Sequence, residues 1–381
     1  MLPQYLYLKS GQYVLNQPCE AQEICKQSGL EGFEVYADDL VDRNLNFYST
    51  TAEKQRLTNQ LIQLGAKRLH CSYWAYPTAY ITKNNFTQLV NRLGGQEQIA
   101  AYYGDLSATH MFERWAQEYE IAKLINAQAY TFHLIDYAPI DGAWEFTLNR
   151  DEILQAMIFM VQQFLCILME KNLITETSPQ IELENAGWGL EYGAQTAEDF
   201  VKVFEQLYDP LNKVFIAWDI NHLLHALGDK DGKTVYMLTK EEISKEMPMM
   251  SDHANQHKLV ENWVSYNVLH SGLQNKVGSI HLSDCRLKNF EYFSNGKLNE
   301  PYFSKLNALE TWQEKEEYGV DFVLSHYDSH LPLGEGCLSG EFIKNLIYKI
   351  SQSNKNFVIT HELKNSKHLA VDLGKQLDAL K

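Results

Sequence analysis

The chain has 381 residues, 45% hydrophobic and 22% charged, with a formal net charge of −16 and a pI near 5.3. Such a chain buries a sizeable core without staples, and its length suits one large α/β barrel with insertions or two smaller domains. Its acidity disfavours a nucleic-acid partner, whose backbone is gripped by clustered Lys and Arg, and is the balance to which a carboxylate cation site would contribute. Six scattered cysteines, none in a CxxC pair, give neither a zinc-finger nor a disulfide framework. They read as free thiols in a reducing compartment, and the N-terminus shows no signal-peptide pattern, so the expected location is cytoplasmic. The most apolar stretch, Ile153 to Met169, carries Gln155, Gln162 and Gln163 and reads as a buried helix rather than a membrane span.

Eight short β-rich runs alternate with helical stretches. In chain order they are Tyr5–Leu8, Gly32–Tyr36, Arg68–Ser72, Ala129–His133, Gln180–Asn185, Phe215–Asp219, Val277–Ser283 and Phe357–Glu362. Helices are expected from Pro18, from Ser107 to Leu124, up to Lys171, from Gln256 to Leu273, around Glu310–Glu317 and from Lys367 to Lys381. Strands separated by helices pair in parallel through crossovers. Eight units predict an α/β fold of the closed (β/α)8 type, a TIM barrel in a single domain over residues 1–381; an open sheet is the alternative. Three long stretches, 76–104, 229–275 and 286–327, look like insertions on the C-terminal, mouth face, where they would form a lid, a substrate wall or a subunit interface.

Strands three to eight finish in His, Glu or Asp: His70, His133, Glu184, Asp219, His281 and Glu362. In a barrel those ends share one face, where active sites are built. Taken singly, each has an ordinary explanation: a helix cap for Asp219, a satisfied core imidazole for His281, a surface ion pair for Glu184 or Glu362. Together they are buried like charges without partners, and a divalent cation removes that conflict. His222, three residues after Asp219, can face the same cation. His281 needs partners for both ring nitrogens, which a metal and a nearby carboxylate supply, and Asp284 follows it in IHLSDC. Asp328 and His330 stand two apart in DSHLPLGEG, before a Gly334/Gly336 turn able to approach a ligand. An oxygen- and nitrogen-donor set without Cys suits Mn²⁺, Mg²⁺, Co²⁺ or Zn²⁺.

The ordered series GFEVY, LHCSY, FHLID, ELENAG, WDINHLLHALGD, IHLSDC, DSHLPLGEG and HELKN resembles the xylose-isomerase-like TIM-barrel superfamily. That superfamily includes sugar isomerases and epimerases and the DNA-repair enzyme endonuclease IV. The resemblance runs from Gly32 to Glu362 and is absent from the insertions. It implies one divalent metal on Glu184, Asp219, His281 and Glu362, as in the sugar epimerases. It also implies that His70, His133, His222, Asp328 and His330 hold further metals, as in the trinuclear zinc site of endonuclease IV, or bind substrate. Glu34 resembles the second strand of the sugar enzymes, whereas Tyr73 resembles a DNA-contact segment of endonuclease IV.

The leading expectation is therefore a metal-dependent isomerase or epimerase of a sugar or sugar phosphate, acting through an enediolate. Glu184 and Glu362 would remove and return the proton, and Trp74, Trp188 and Trp218 could stack on the sugar. The rival is a zinc phosphodiester hydrolase of the endonuclease IV type with two or three ions, and the third reading is a non-catalytic metal- or ligand-binding barrel. The expected partner is a small molecule; the net charge of −16 disfavours nucleic acid, no stretch reads as a membrane span, and the resemblance implies a possible homo-oligomer.

Overall fold

The computed structural model describes residues 2–9, 18–37, 51–71, 95–97, 100, 108–133, 139–140, 143–144, 150–185, 194–227, 253–284, 293–294, 297–298, 308, 330–363 and 368–381. Eight parallel strands close into a barrel: β1 Gln4–Lys9, β2 Gly32–Tyr36, β3 Ala66–His70, β4 Ala129–His133, β5 Gln180–Glu184, β6 Val214–Asp219, β7 Val277–Leu282 and β8 Val358–His361. Each strand lies beside its sequence neighbours, and β8 closes the ring on β1, pairing Gln4 with Ile359 and Leu6 with His361. The closed barrel is the expected one. β3 begins at Ala66, two residues before the expected Arg68, because Gly65, at φ 94°, turns the chain directly into the strand.

The helices are α1 Pro18–Gln27, α2 Thr51–Leu64, α3 Thr109–Leu124, α4 Arg150–Glu170, α5 Ala197–Gln206, α6 Ile220–Leu227, α7 His253–Val268, α8 Gly340–Ser353 and α9 Leu369–Ala379. Local chemistry starts several of them. Thr196 and Asp199 form a reciprocal capping box at α5, and the Ser339 hydroxyl accepts from Phe342 N at α8. The outward faces of the strands pack on this layer. Trp115 of α3 lies edge-on to Phe132 at 4.5 Å, and Phe164 of α4 stacks on Phe132 at 6.1 Å. Burial of each such ring stabilises the fold by roughly 2–3 kcal/mol. By length and composition α4 is apolar enough to cross a membrane, but it turns Met157, Val161, Phe164 and Leu168 into the core, as expected of a buried helix.

Part of the stretch read as an insertion belongs to the barrel's own helical layer. Within 229–275, α7 docks on α6 through Trp263, whose indole N–H donates to Leu223 O at 2.9 Å, and buries Val260, Val264 and Val268. Its apolar residues recur at helical spacing and so were always destined for a core face. The helix expected around Glu310–Glu317 lies outside the described residues. A small second sheet was not anticipated: Pro139–Ile140 pairs with Ala143–Trp144, and Phe293–Ser294 with Lys297–Leu298. Lys297 then pairs with Ala143, so the segments leaving β4 and β7 hydrogen-bond to each other.

Candidate metal centre at the barrel mouth

Side chains alternate along a strand, so every second residue points into the barrel. Most of those positions carry polar groups here. The lower interior layer is a continuous polar network. The Arg68 guanidinium donates to Glu34 Oε2 at 2.7 Å, to Glu182 Oε1 at 3.3 Å and to Ser279 Oγ at 3.1 Å. Thr131 and Thr360 hydroxyls donate to Glu34 at 2.6 and 2.8 Å. Arg68, Glu34 and Glu182 are at most 1% exposed. Gly278 makes room for this layer: a Cβ there would stand 2.7 Å from Glu182 Oε1.

The strand ends carry the upper layer, and the structure brings together all the described candidates. His70 Nε2, His133 Nε2 and Glu184 Oε2 form a triangle with edges of 3.1, 2.9 and 2.7 Å. Tetrahedral ligands about 2.05 Å from one zinc ion stand roughly 3.3 Å apart, so the triangle is a few tenths of an ångström smaller than one face of a zinc coordination shell and could hold an ion. Two further sets have donor atoms mutually within 4.8 Å: Glu184, Asp219, His281 and Glu362, and Asp219, His222 and His330. Glu184 belongs to two sets and Asp219 to two, so the three form one chain across the mouth. Asp328 lies outside the described residues.

The hydrogen-bond pattern around these imidazoles suits a cation. His70 Nδ1 is 3.1 Å from Cys71 O, His222 Nδ1 2.9 Å from Asn185 O, and His330 Nδ1 3.2 Å from Glu362 O. A carbonyl only accepts, so each Nδ1 carries the proton and each neutral ring offers a lone pair at Nε2. The His70 Nε2 lone pair then faces Glu184 Oε2 at 2.9 Å and His133 Nε2 at 3.1 Å, a contact that a proton on His133 Nε2 or a cation among the three atoms relieves. His281 is turned the other way: its Nε2 meets Glu34 Oε1 at 3.2 Å, while Nδ1 makes no hydrogen bond although Glu362 Oε2 is 3.1 Å away. Asp219 Oδ2 is likewise buried and accepts no hydrogen bond. Its other oxygen caps α6, accepting from His222 N at 2.9 Å, so the ordinary cap reading of Asp219 holds for one oxygen and leaves the second for a ligand.

The electrostatics express the same crowding. Burial raises the Glu184 carboxyl, but the His133 and His281 imidazoles outweigh it and hold the group well below the usual carboxylate range. Burial opposes ionisation of Glu362 too, yet His330 and His281 bring it down to about 2. Burial and then the Glu362 charge push Asp219 well above its ordinary value. Desolvation keeps His133 below its ordinary value, whereas Glu184 overcomes desolvation at His70 and raises it. The neighbouring carboxylates thus favour a proton on His70 and, more strongly, on His281, and a divalent cation bound there would compete with those protons.

Other expectations are corrected. Asp284 is not the carboxylate behind His281; Glu34 from β2 is. Asp284 instead accepts four backbone N–H bonds, from Gly334, Gly336, Cys337 and Leu338 at 2.8–3.1 Å. It thereby ties down the loop that carries His330. That loop is held tightly: His330 has φ 43°, a left-handed value uncommon outside glycine, and Gly334 has φ 88°. Trp218 packs edge-on against Phe200 of α5 at 5.0 Å, fully buried behind the strand rather than lining the mouth. Tyr73, Trp74 and Trp188 lie outside the described residues. The reading by strand ends missed Glu34, Arg68 and Asn185. Asn185 donates to Asp219 O at 3.1 Å and accepts from Asp219 N at 2.7 Å, locking the ends of β5 and β6 together.

No protein-family model and no curated protein sequence matches the chain. Solved structures do. A D-tagatose 3-epimerase-like protein superposes with TM-score 0.53 at 12% identity, covering 99% of this chain and 96% of that one. A putative xylose isomerase from Rhodospirillum rubrum gives 0.52 at 10%, covering 100% and 98%. Endonuclease IV from Thermus thermophilus gives 0.49 at 15%, covering 99% and 98%. At such identities the likeness shows the fold alone, and that fold is the closed barrel of eight parallel strands described above.

Proposed function

We propose that the barrel mouth is a multinuclear divalent-metal centre and that the protein is a metal-dependent hydrolase of phosphate esters. The observation that carries this reading is the triangle of His70 Nε2, His133 Nε2 and Glu184 Oε2. A single-cation enzyme needs only Glu184, Asp219, His281 and Glu362, and gives no metal role to the buried His70, His133, His222 and His330 donors gathered around them. His₂Glu here, and Asp219 with His222 and His330 across the mouth, are three-donor sets of the kind that leave a coordination position open for water or substrate. Zinc is the favoured ion, because five of the eight described donors are imidazoles.

Bound there, the cations would supply an activated water and neutralise charge on phosphoryl oxygens. The protein's own groups do the rest. Glu184 and Asp219, each shared between two donor sets, would help to hold more than one cation. The carbonyls of Cys71, Asn185 and Glu362 fix the tautomers of His70, His222 and His330. Asp284 holds the His330 loop against the mouth. The net charge of −16 opposes a long polyanion and favours a small phosphate ester or a nucleic-acid terminus as substrate.

The proton-transfer reading has one observation in its favour. Glu184 Oε1 and Glu362 Oε2 stand 3.5 and 3.1 Å from His281 Nδ1 and belong to different strand ends. They could flank a ketose held by one cation, and a D-tagatose 3-epimerase-like protein shares the fold. Metal analysis of the purified protein, with assays on bis-p-nitrophenyl phosphate, p-nitrophenyl phosphate, abasic-site DNA and a panel of ketoses, separates the two. Two or more zinc ions per chain with phosphoesterase turnover is the expected result. One ion per chain with ketose epimerisation overturns it.

A further inference from the structure

The mouth ligands rest on the buried network beneath them, and one link of that network reaches a candidate ligand directly. Glu34 is fully buried on β2, and four donor groups from four other strands surround its carboxylate: Arg68 Nε, Thr131 Oγ1, Thr360 Oγ1 and His281 Nε2. Arg68 Nε and the Thr360 hydroxyl donate to one of its oxygens and the Thr131 hydroxyl to the other, so the carboxylate is an acceptor on both sides. The hydrogen between it and His281 therefore sits on Nε2. A neutral His281 is then forced to present its lone pair at Nδ1, and Nδ1 is the buried nitrogen left without a hydrogen bond between Glu184 and Glu362.

We propose that Glu34, clamped by Arg68, is a positioning residue for the metal centre: it sets the tautomer and ring orientation of His281, and so the affinity of the four-donor cation position. None of the strand-end residues that read as ligands would reveal it, because it enters the barrel one layer below them, from the second strand. The direction of the effect follows from chemistry. An anionic acceptor behind an imidazole makes the opposite nitrogen a stronger donor to a cation, and loss of such a partner lowers metal affinity by about 10–100-fold. Arg68 is required because Glu34 without a fixed counter-charge is an uncompensated buried carboxylate. The inference rests on the metal-centre reading above.

The test uses Glu34→Gln, which preserves shape and leaves Arg68 paired with Glu182, and Glu34→Leu, which removes the acceptor altogether. Ser279→Ala is the control, because Ser279 touches Arg68 and Glu182 but has no hydrogen bond to His281. Metal-free proteins are titrated with zinc against a competing chelator, and their unfolding temperatures are recorded without zinc. The expected result is a zinc affinity lowered about 10–100-fold at one position in Glu34→Gln and further in Glu34→Leu, with the remaining positions and Ser279→Ala within about twofold of wild type. Two-bond proton–nitrogen spectra of the zinc-loaded wild type should show His281 protonated at Nε2, with His281→Gln supplying the assignment. Unchanged zinc affinity in a folded Glu34→Gln overturns the proposal, as does an Nδ1-protonated His281 in the wild type. If Glu34→Leu fails to fold, Glu34→Gln and the wild-type spectrum still decide. A wild-type chain that binds no divalent cation would sink the metal-centre reading itself, which is a different outcome.

Discussion

Stripping the protein with a chelator and restoring zinc gives the sharpest test of how many ions the mouth holds. A site occupied at one hundred times its dissociation constant stabilises the folded state by about 2.7 kcal/mol. Unfolding entropy near 60 °C is about 2.1 cal/mol/K per residue, which for 381 residues is about 0.8 kcal/mol/K. Each site should therefore raise the unfolding temperature by about 3 °C, and three sites by about 10 °C. The His133→Ala variant breaks the triangle at its 2.7 Å edge to Glu184 but leaves the other two donor sets intact. It should bind one zinc fewer, and its zinc-dependent shift should shrink by about 3 °C. Differential scanning calorimetry beside elemental analysis reads both quantities. A wild-type shift near 3 °C with one ion per chain, unaltered in His133→Ala, would refute the multinuclear reasoning.

Glu184→Gln removes a charge shared by two donor sets, so it should lose two ions together and abolish turnover, measured by elemental analysis and the phosphoester assay; loss of a single ion would contradict the shared role. Asp284→Asn weakens four backbone bonds to a buried carboxylate and should cost about 3 kcal/mol, seen by denaturant unfolding. It should also weaken zinc at the Asp219/His222/His330 set while sparing the His70 triangle. Gly278→Ala places a Cβ against Glu182 and Phe215 and should cost about 1–3 kcal/mol without changing the metal count. His361 is buried between Gln4 and the Gln376 side chain of α9, and desolvation lowers its pKa to about 4. The unfolded imidazole, with a pKa of about 6.5, binds its proton first as pH falls. Stability from this group is full above about pH 6.5 and lost between there and about pH 4, by up to about 3 kcal/mol. The His361→Gln variant should flatten the stability profile in that window; an unchanged slope would assign the acid sensitivity elsewhere.

Much of this architecture was legible in the sequence. Gly32–Tyr36 and Ala129–His133 form the expected strands to the residue, because a β-rich run bounded by turn chemistry leaves little freedom. The described candidate ligands converge because a barrel brings all its strand ends to one rim. What escaped was the layer beneath. The signal was present as polar residues two positions before the ligands: Arg68 before His70, Thr131 before His133, Glu182 before Glu184, Ser279 before His281 and Thr360 before Glu362. A polar residue inside a strand looks like a local exception, and only closure of the barrel shows these groups satisfying one another. The small sheet was hidden for a different reason. Its hairpins have strands of only two residues, and the pair that joins them, Lys297 with Ala143, spans some 150 residues of chain, a distance over which local propensity carries no information. The misassigned partner of His281 belongs with these: Asp284 is near in sequence, Glu34 is near only in space.

Asp219 has a consequence of its own. One oxygen starts α6 by capping His222 N, and the other faces the cation position. Asparagine could keep the cap and would surrender the charge. Glutamate could keep the charge, but its longer arm would abandon the cap. The shortest carboxylate is thus the side chain that serves both, and its cap on His222 N ties the start of α6 to the strand end that carries Asp219. On the proposed reading, chemistry and folding separate at this one position: Asp219→Asn should keep the cap on α6 and the fold while lowering cation affinity, which would make it a trap for bound substrate.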